Sequence, residues 1–214
     1  MNFVGSIQRA VVFGAPLTLG ILEIWHPVGS SDLSAFESIA EQVDWWIGLH
    51  LLQLPLFGLV ALVILMLTCN IQSRSAVISR VGIALFIIFY TALDSIMGIA
   101  GGFLIRDAQN FSPAVQEFVA HQINFLLTNP IIGGATYSLI GVLGAGGWFI
   151  GTSFAAISLL ENGLPRLSFI FLILSGVLFG ISHVPPTGPL GMFCLFIALI
   201  IAEVSGRSFP IKEL

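Results

Sequence analysis

The stretch WWIGLHLLQLPLFGLVALVILMLTC, Trp45 to Cys69, contains no charged residue and is apolar around every face of the helix it would form. An α-helix rises about 1.5 Å per residue, so about 20 such residues cross the ~30 Å hydrocarbon layer of a bilayer. Lipid is the solvent this segment is built for. Working outward, five more runs have the same character: 8–25, 81–105, 132–159, 167–184 and 189–204. The expectation is therefore an all-α, polytopic integral membrane bundle of six transmembrane helices, one transmembrane domain over 1–214 and lying in the cell membrane.

Composition supports this reading. Hydrophobic residues make up 57% of the chain and charged residues only 8%, against roughly 25% charged in water-soluble domains. The net charge of −4 leaves no basic stripe to neutralise phosphates, so nucleic acid is not an expected partner. The first run ends in Glu23-Ile24-Trp25-His26-Pro27 rather than in a small-residue cleavage site, and reads as a retained helix rather than a signal peptide.

The basic residues set the orientation. With the N-terminus inside, Arg9, Arg74, Arg80, Arg166, Arg207 and Lys212 all fall on the cytoplasmic side and only Arg106 falls outside. Both termini are then cytoplasmic. Asp32, Glu37, Glu41, Asp44, Asp107 and Glu117 fall in the two longer outer connections, with Trp45 and Trp46 as interfacial anchors. Each outer connection is expected to carry an amphipathic surface helix, at about 35–43 and 113–128. Ser34 and Glu37 have capping-box spacing, and Ser112-Pro113 places an N-cap before a first-turn proline. Asn129-Pro130 should end the second helix.

Small residues point to close packing. Gly141, Gly144, Gly147 and Gly151 in the fourth run, and Gly176 and Gly180 in the fifth, let helix backbones approach within the bundle or form a homo- or hetero-oligomer contact. Glu203 reads as an interfacial anchor beside Arg207. Cys69 and Cys194 lie at different depths and are not expected to pair.

Ionisable groups inside the bilayer are costly and mark function. Glu23 and His26 stand at i, i+3 near the outer end of the first helix; His50 lies in the outer part of the second; Asp94 is deeper in the third; His183 closes the fifth. Imidazole with carboxylate is the ligand chemistry of zinc, iron and manganese. Glu23, His26, His50 and His183 are thus the candidate metal ligands, and Asp94 the candidate catalytic or proton-transfer group. Gln53, one turn from His50, is a neighbour able to orient the imidazole. A non-haem divalent metal (Zn, Fe or Mn) is favoured over haem b, for which His50 with His26, His121 or His183 would be the axial ligands. Three function classes remain: a metal-site protein acting on a lipophilic small molecule from the outer leaflet, a haem b protein, and a proton-coupled transporter or accessory subunit without catalysis. Whether the chain is an enzyme is not decided by its residues.

Overall fold

The computed structural model describes residues 3–28, 33–134 and 138–206. Asp32, Arg207 and Lys212 lie outside the described residues, so the orientation they help to set is not read from the structure. The described residues form an all-α protein. Its elements are α1 (Phe3–Ile24), α2 (Ala35–Ala40), α3 (Val43–Thr68), α4 (Arg74–Leu93), a π-helical segment (Asp94–Ala100), α5 (Gly101–Ala108), α6 (Pro113–Thr128), α7 (Leu139–Glu161), α8 (Arg166–Ile181) and α9 (Thr187–Val204). Among the described residues, five helical stretches are long and apolar enough to cross a membrane: 5–24, 43–68, 74–108, 139–161 and 187–204. The apolar helix α8 is shorter, at 16 residues.

The fourth helix begins later than its apolar run suggests. Asn129 Oδ1 accepts from the backbone N–H groups of Ile131 and Ile132, which turns the chain. Ser138 then caps α7 by accepting from the Gly141 N–H at 3.0 Å. Residues 132–134 therefore belong to a turn, although they are as apolar as the helix. At its other end α7 stops at Gly163, whose φ of 89° is left-handed. The Gly163 N–H bonds to the Leu160 carbonyl and the Leu164 N–H to the Leu159 carbonyl, a Schellman arrangement that satisfies the last turn.

Helices α4 and α7 form the spine. A Cβ on Gly147 would lie 2.6 Å from the backbone nitrogen of Phe86, and one on Gly82 would lie 2.6 Å from that of Gly151. The Ser79 hydroxyl donates across the same seam to the Gly151 carbonyl at 2.7 Å. Gly180 faces Ala145 and Phe149 of α7, and Gly191 of α9 faces Phe179 of α8. These glycines are used within one chain, where lipid gives no hydrophobic drive and contact distance decides packing. Phe57, Phe86, Tyr90, Trp148 and Phe179 interlock at the centre, with ring centroids 4.9 to 6.3 Å apart.

A second apolar cluster joins the connections to the bundle. Phe36 and Ile39 of α2, Val43 and Ile47 of α3, Ile105 and Ala108 of α5, and Ile123 of α6 pack together. The Ser34–Glu37 capping box is formed in both directions. Ser112 occupies the N-cap position of α6, but its side chain makes no capping bond. At the opposite end of the bundle, Glu203 pairs with Arg9 at 3.0 Å, tying α9 to α1.

Candidate metal centre

Three histidines from separate parts of the sequence meet at one point. His26 follows the end of α1, His50 projects from α3, and His183 lies in the link between α8 and α9. One nitrogen from each lies within 4.8 Å of the other two. His26 and His50 are buried and His183 is half-buried.

The hydrogen bonds determine which nitrogens face inward. His26 Nδ1 lies 2.9 Å from the Pro27 carbonyl, and His50 Nδ1 lies 2.7 Å from the Trp46 carbonyl. A carbonyl only accepts, so both Nδ1 atoms carry the proton and both Nε2 atoms keep a lone pair. His183 Nδ1 lies 2.7 Å from the Tyr90 hydroxyl, and its Nε2 lies 3.2 Å from His26 Nε2. Two lone pairs would repel at that distance. Without an ion, the Tyr90 O–H donates to His183 Nδ1, and His183 Nε2–H donates to His26. To hold an ion through Nε2, His183 would need its proton on Nδ1, with the Tyr90 oxygen accepting it. Either way the three Nε2 atoms converge.

Burial depresses the basicity of His26, whose pKa is lowered to about 4, with the Pro27 hydrogen bond opposing the shift. It is therefore neutral at ordinary pH, the form in which an imidazole is able to coordinate. Two ring contacts fix the imidazoles further: His26 packs edge-on to Trp46, with centroids 5.6 Å apart, and Trp46 lies 4.4 Å from the His50 ring.

The π segment supplies the fourth side of the site. Asp94 begins it, with Oδ1 3.8 Å from His50 Nε2. Gly98 lies against the His50 imidazole so closely that any Cβ there would overlap the ring. Its carbonyl accepts from Trp46 Nε1 at 2.7 Å. A π turn rotates the following residues relative to an α-helix. Here it faces Asp94 and Gly98 to the same histidine.

Of the other candidates, Glu23 is fully buried but lies outside the group of three nitrogens; its Oε1 accepts from Gln53 Nε2 at 2.7 Å. His121 is exposed on α6 and lies apart from the cluster.

Above the histidines is a cavity of about 290 Å³. Ala35, Ser38 and Ile39 of α2 roof it, Leu93 and Met97 form one wall, and Leu127 at the end of α6 closes another. Among the described residues no lysine or arginine lines it. No protein-family model, curated protein or solved structure matches this chain. The chemistry of the site is therefore argued from its geometry alone.

Trp46, Tyr90 and Gly98 complete the site and were not expected from the sequence. Trp46 reads there as an interfacial anchor, which is the role its neighbour keeps: Trp45 is 40% exposed and donates to the Trp25 carbonyl. The only available signal for Trp46 is its position, four residues and thus one turn before His50.

Proposed function

We propose that His26, His50 and His183 hold a single transition-metal ion of the zinc class, and that the cavity over them takes a lipophilic molecule that the centre binds and acts on. The observation that carries this reading is the set of three imidazoles with every Nδ1 already engaged and one nitrogen of each within 4.8 Å of the other two. Three nitrogen ligands with a position left open are the arrangement of catalytic zinc sites, and such an ion, when bound, supplies an acidified water or a polarised carbonyl. Asp94, beside His50, is placed to orient a water or hold its proton. At about 290 Å³ the cavity lies at the low end of the ~300–1,000 Å³ range of ligand pockets. That suits a compact or single-chain lipophile better than a two-chain lipid.

A haem is less well supported. The His26 ring centroid is 5.3 Å from that of His50 and 4.8 Å from that of His183, both in edge-to-face contact, which leaves no slot for a flat macrocycle between them. We place the site in the outer half of a six-span bundle with cytoplasmic termini, α8 being the short span. The asymmetry of the arginines supports this.

The test is metal analysis and an absorption spectrum of the protein purified in lipid nanodiscs. One zinc-class ion per chain and no Soret band are expected, with the ion lost in His50→Ala and His183→Ala. A Soret band, or zinc uptake that survives both substitutions, would overturn the reading. A cysteine replacing Asp107 should label from the outside.

A further inference from the structure

Beside the histidines lies a second polar group, in which Asp94 is the one member shared with the imidazole site. Glu23 in the last turn of α1 is 0% exposed and Asp94 at the start of the π segment is 5% exposed. The two carboxylates are within electrostatic reach of each other and of the Tyr90 hydroxyl. Gln53 of α3, also 0% exposed, is turned onto Glu23 by its 2.7 Å hydrogen bond.

Three oxygens in this group have no partner: Glu23 Oε2, Gln53 Oε1 and Asp94 Oδ2. Among the described residues they are three of the six buried side-chain atoms left without one, so half of that deficit belongs to these three interacting side chains. Unsatisfied buried acceptors are rare in folded proteins and call for an explanation. Among the described residues no arginine pairs with either carboxylate: Arg9 pairs with Glu203, Arg106 with Asp44, and Arg80 donates to the Thr68 and Ile71 carbonyls. Two buried like charges without a counter-charge are strongly disfavoured.

A proton on each carboxyl removes the charge but brings no donor to the Gln53 oxygen in the structure. The Gln53 oxygen is an acceptor whatever the carboxyls do, and no hydrogen-bond partner stands within reach of any of the three. What all three lack is a donor or a cation, and one divalent ion with its waters would supply every one of them.

We propose that Glu23, Gln53 and Asp94 form a second, all-oxygen site for a hard divalent cation of the magnesium or manganese class, completed by water. Two carboxylates and an amide carbonyl are the ligand type such ions prefer, and two negative charges balance one divalent ion. Asp94 stands between the two centres, with Oδ1 toward His50 and Oδ2 free for the second ion. This site is independent of any ion held by the histidines, and the two are distinguished by ligand chemistry, nitrogen in one and oxygen in the other.

The experiment uses the full chain in lipid nanodiscs, loaded with one equivalent of Zn²⁺ and then titrated with Mn²⁺, with free Mn²⁺ read from its electron paramagnetic resonance spectrum. One Mn²⁺ per chain is expected in addition to the zinc. Glu23→Gln, which keeps the side chain's size, should weaken Mn²⁺ at least tenfold and leave the zinc in place. Asp94→Asn should also weaken it, and either variant decides the matter if the other does not fold. Asp44→Asn, at an exposed acid, should change nothing. Absence of Mn²⁺ uptake, or unchanged affinity in Glu23→Gln, would overturn the second site; so would joint loss of zinc and manganese in that variant, which would mean one shared centre. Uptake of Mn²⁺ by a chain that holds no zinc would leave this inference standing and remove the histidine reading instead.

Discussion

At the scale of single residues, the Tyr90 hydroxyl is the contact that most directly controls the histidine cluster. It holds His183 Nδ1 at 2.7 Å, and its ring is buried among Phe57, Phe86 and Phe179. Tyr90→Phe fills the same ring space and removes only the O–H, so the fold should persist. Zinc affinity, measured by competition with a chelator, should fall about 10- to 100-fold, the range found for lost outer-shell partners of metal-bound histidines. His26 gives a pH prediction. Its pKa is lowered from 6.5 to about 4 by burial, so between those values the unfolded chain binds a proton that the folded chain refuses. Its contribution to stability is complete above the ordinary value and declines as pH falls toward 4. Thermal unfolding of the ion-free protein should show this slope, and His26→Gln should make it shallower by the share of one proton. The sequence reveals His26, His50, His183 and Asp94 because an ionisable group in an apolar run stands out. It hides Tyr90, Trp46 and Gly98 because tyrosine, tryptophan and glycine are ordinary in membrane helices, and only the fold shows what they touch.

At the scale of elements, the informative failures are those in which one physical signal covered two structures. Hydropathy merges the turn at 132–134 with α7, since turn and helix are equally apolar there. The turn is determined by Asn129 and Ser138, whose polar side chains satisfy backbone groups. Hydropathy also runs α4, the π segment and α5 together as one span; nothing in Asp94–Ala100 announces a π turn, because helical periodicity changes too little over seven residues. Local chemistry is read more easily. The Ser34–Glu37 box is visible in four residues and is formed, with the Ser34 N–H donating to Glu37 Oε2 at 2.8 Å and the Glu37 N–H donating to Ser34 Oγ at 3.2 Å. It matters because α2 has only six residues and roofs the cavity. Ser34→Ala removes the cap, a change that costs about 1 kcal/mol in typical helices and so gives about a fivefold increase in opening. Hydrogen exchange over 35–40 should accelerate by about that factor while α3 stays protected. The Ser34 hydrogen bonds hold the Glu37 carboxyl below its usual pKa. The charged cap is therefore present at neutral pH and lost as pH falls through that lowered value, so exchange in α2 should also rise in acid.

For the whole molecule, the site depends on how closely the α4–α7 seam closes. Tyr90 is carried by α4, and His183 follows α8, which packs along the other side of α7 through Gly176 and Gly180. The distance from Tyr90 to His183 is thus set by two helix contacts in series, the first backbone on backbone and the second Gly176 and Gly180 against the Thr152 hydroxyl, the Ala145 carbonyl and Phe149. Gly147 is the tightest test of the first contact. A Cβ there would stand 2.6 Å from the Phe86 nitrogen and 2.8 Å from the Gly82 carbonyl, and neither atom can rotate away. Gly146, its neighbour in the same helix, has nothing within 4 Å of the equivalent point. Both substitutions to alanine bring the same small gain in helix propensity, so the difference between them isolates the contact. Gly147→Ala should force the two helices apart and cost about 1–3 kcal/mol, as overpacking of a tight interior does. Gly146→Ala should be neutral or slightly stabilising. Thermal unfolding in one detergent gives the first comparison, and zinc affinity the second. If the seam positions the histidines, Gly147→Ala weakens zinc even below its unfolding temperature, because α7 and α8 carry His183 away from the α4 hydroxyl together. Equal melting temperatures for the two variants would show that α4 and α7 are not in backbone contact, and the geometry argued for the site would lose its support.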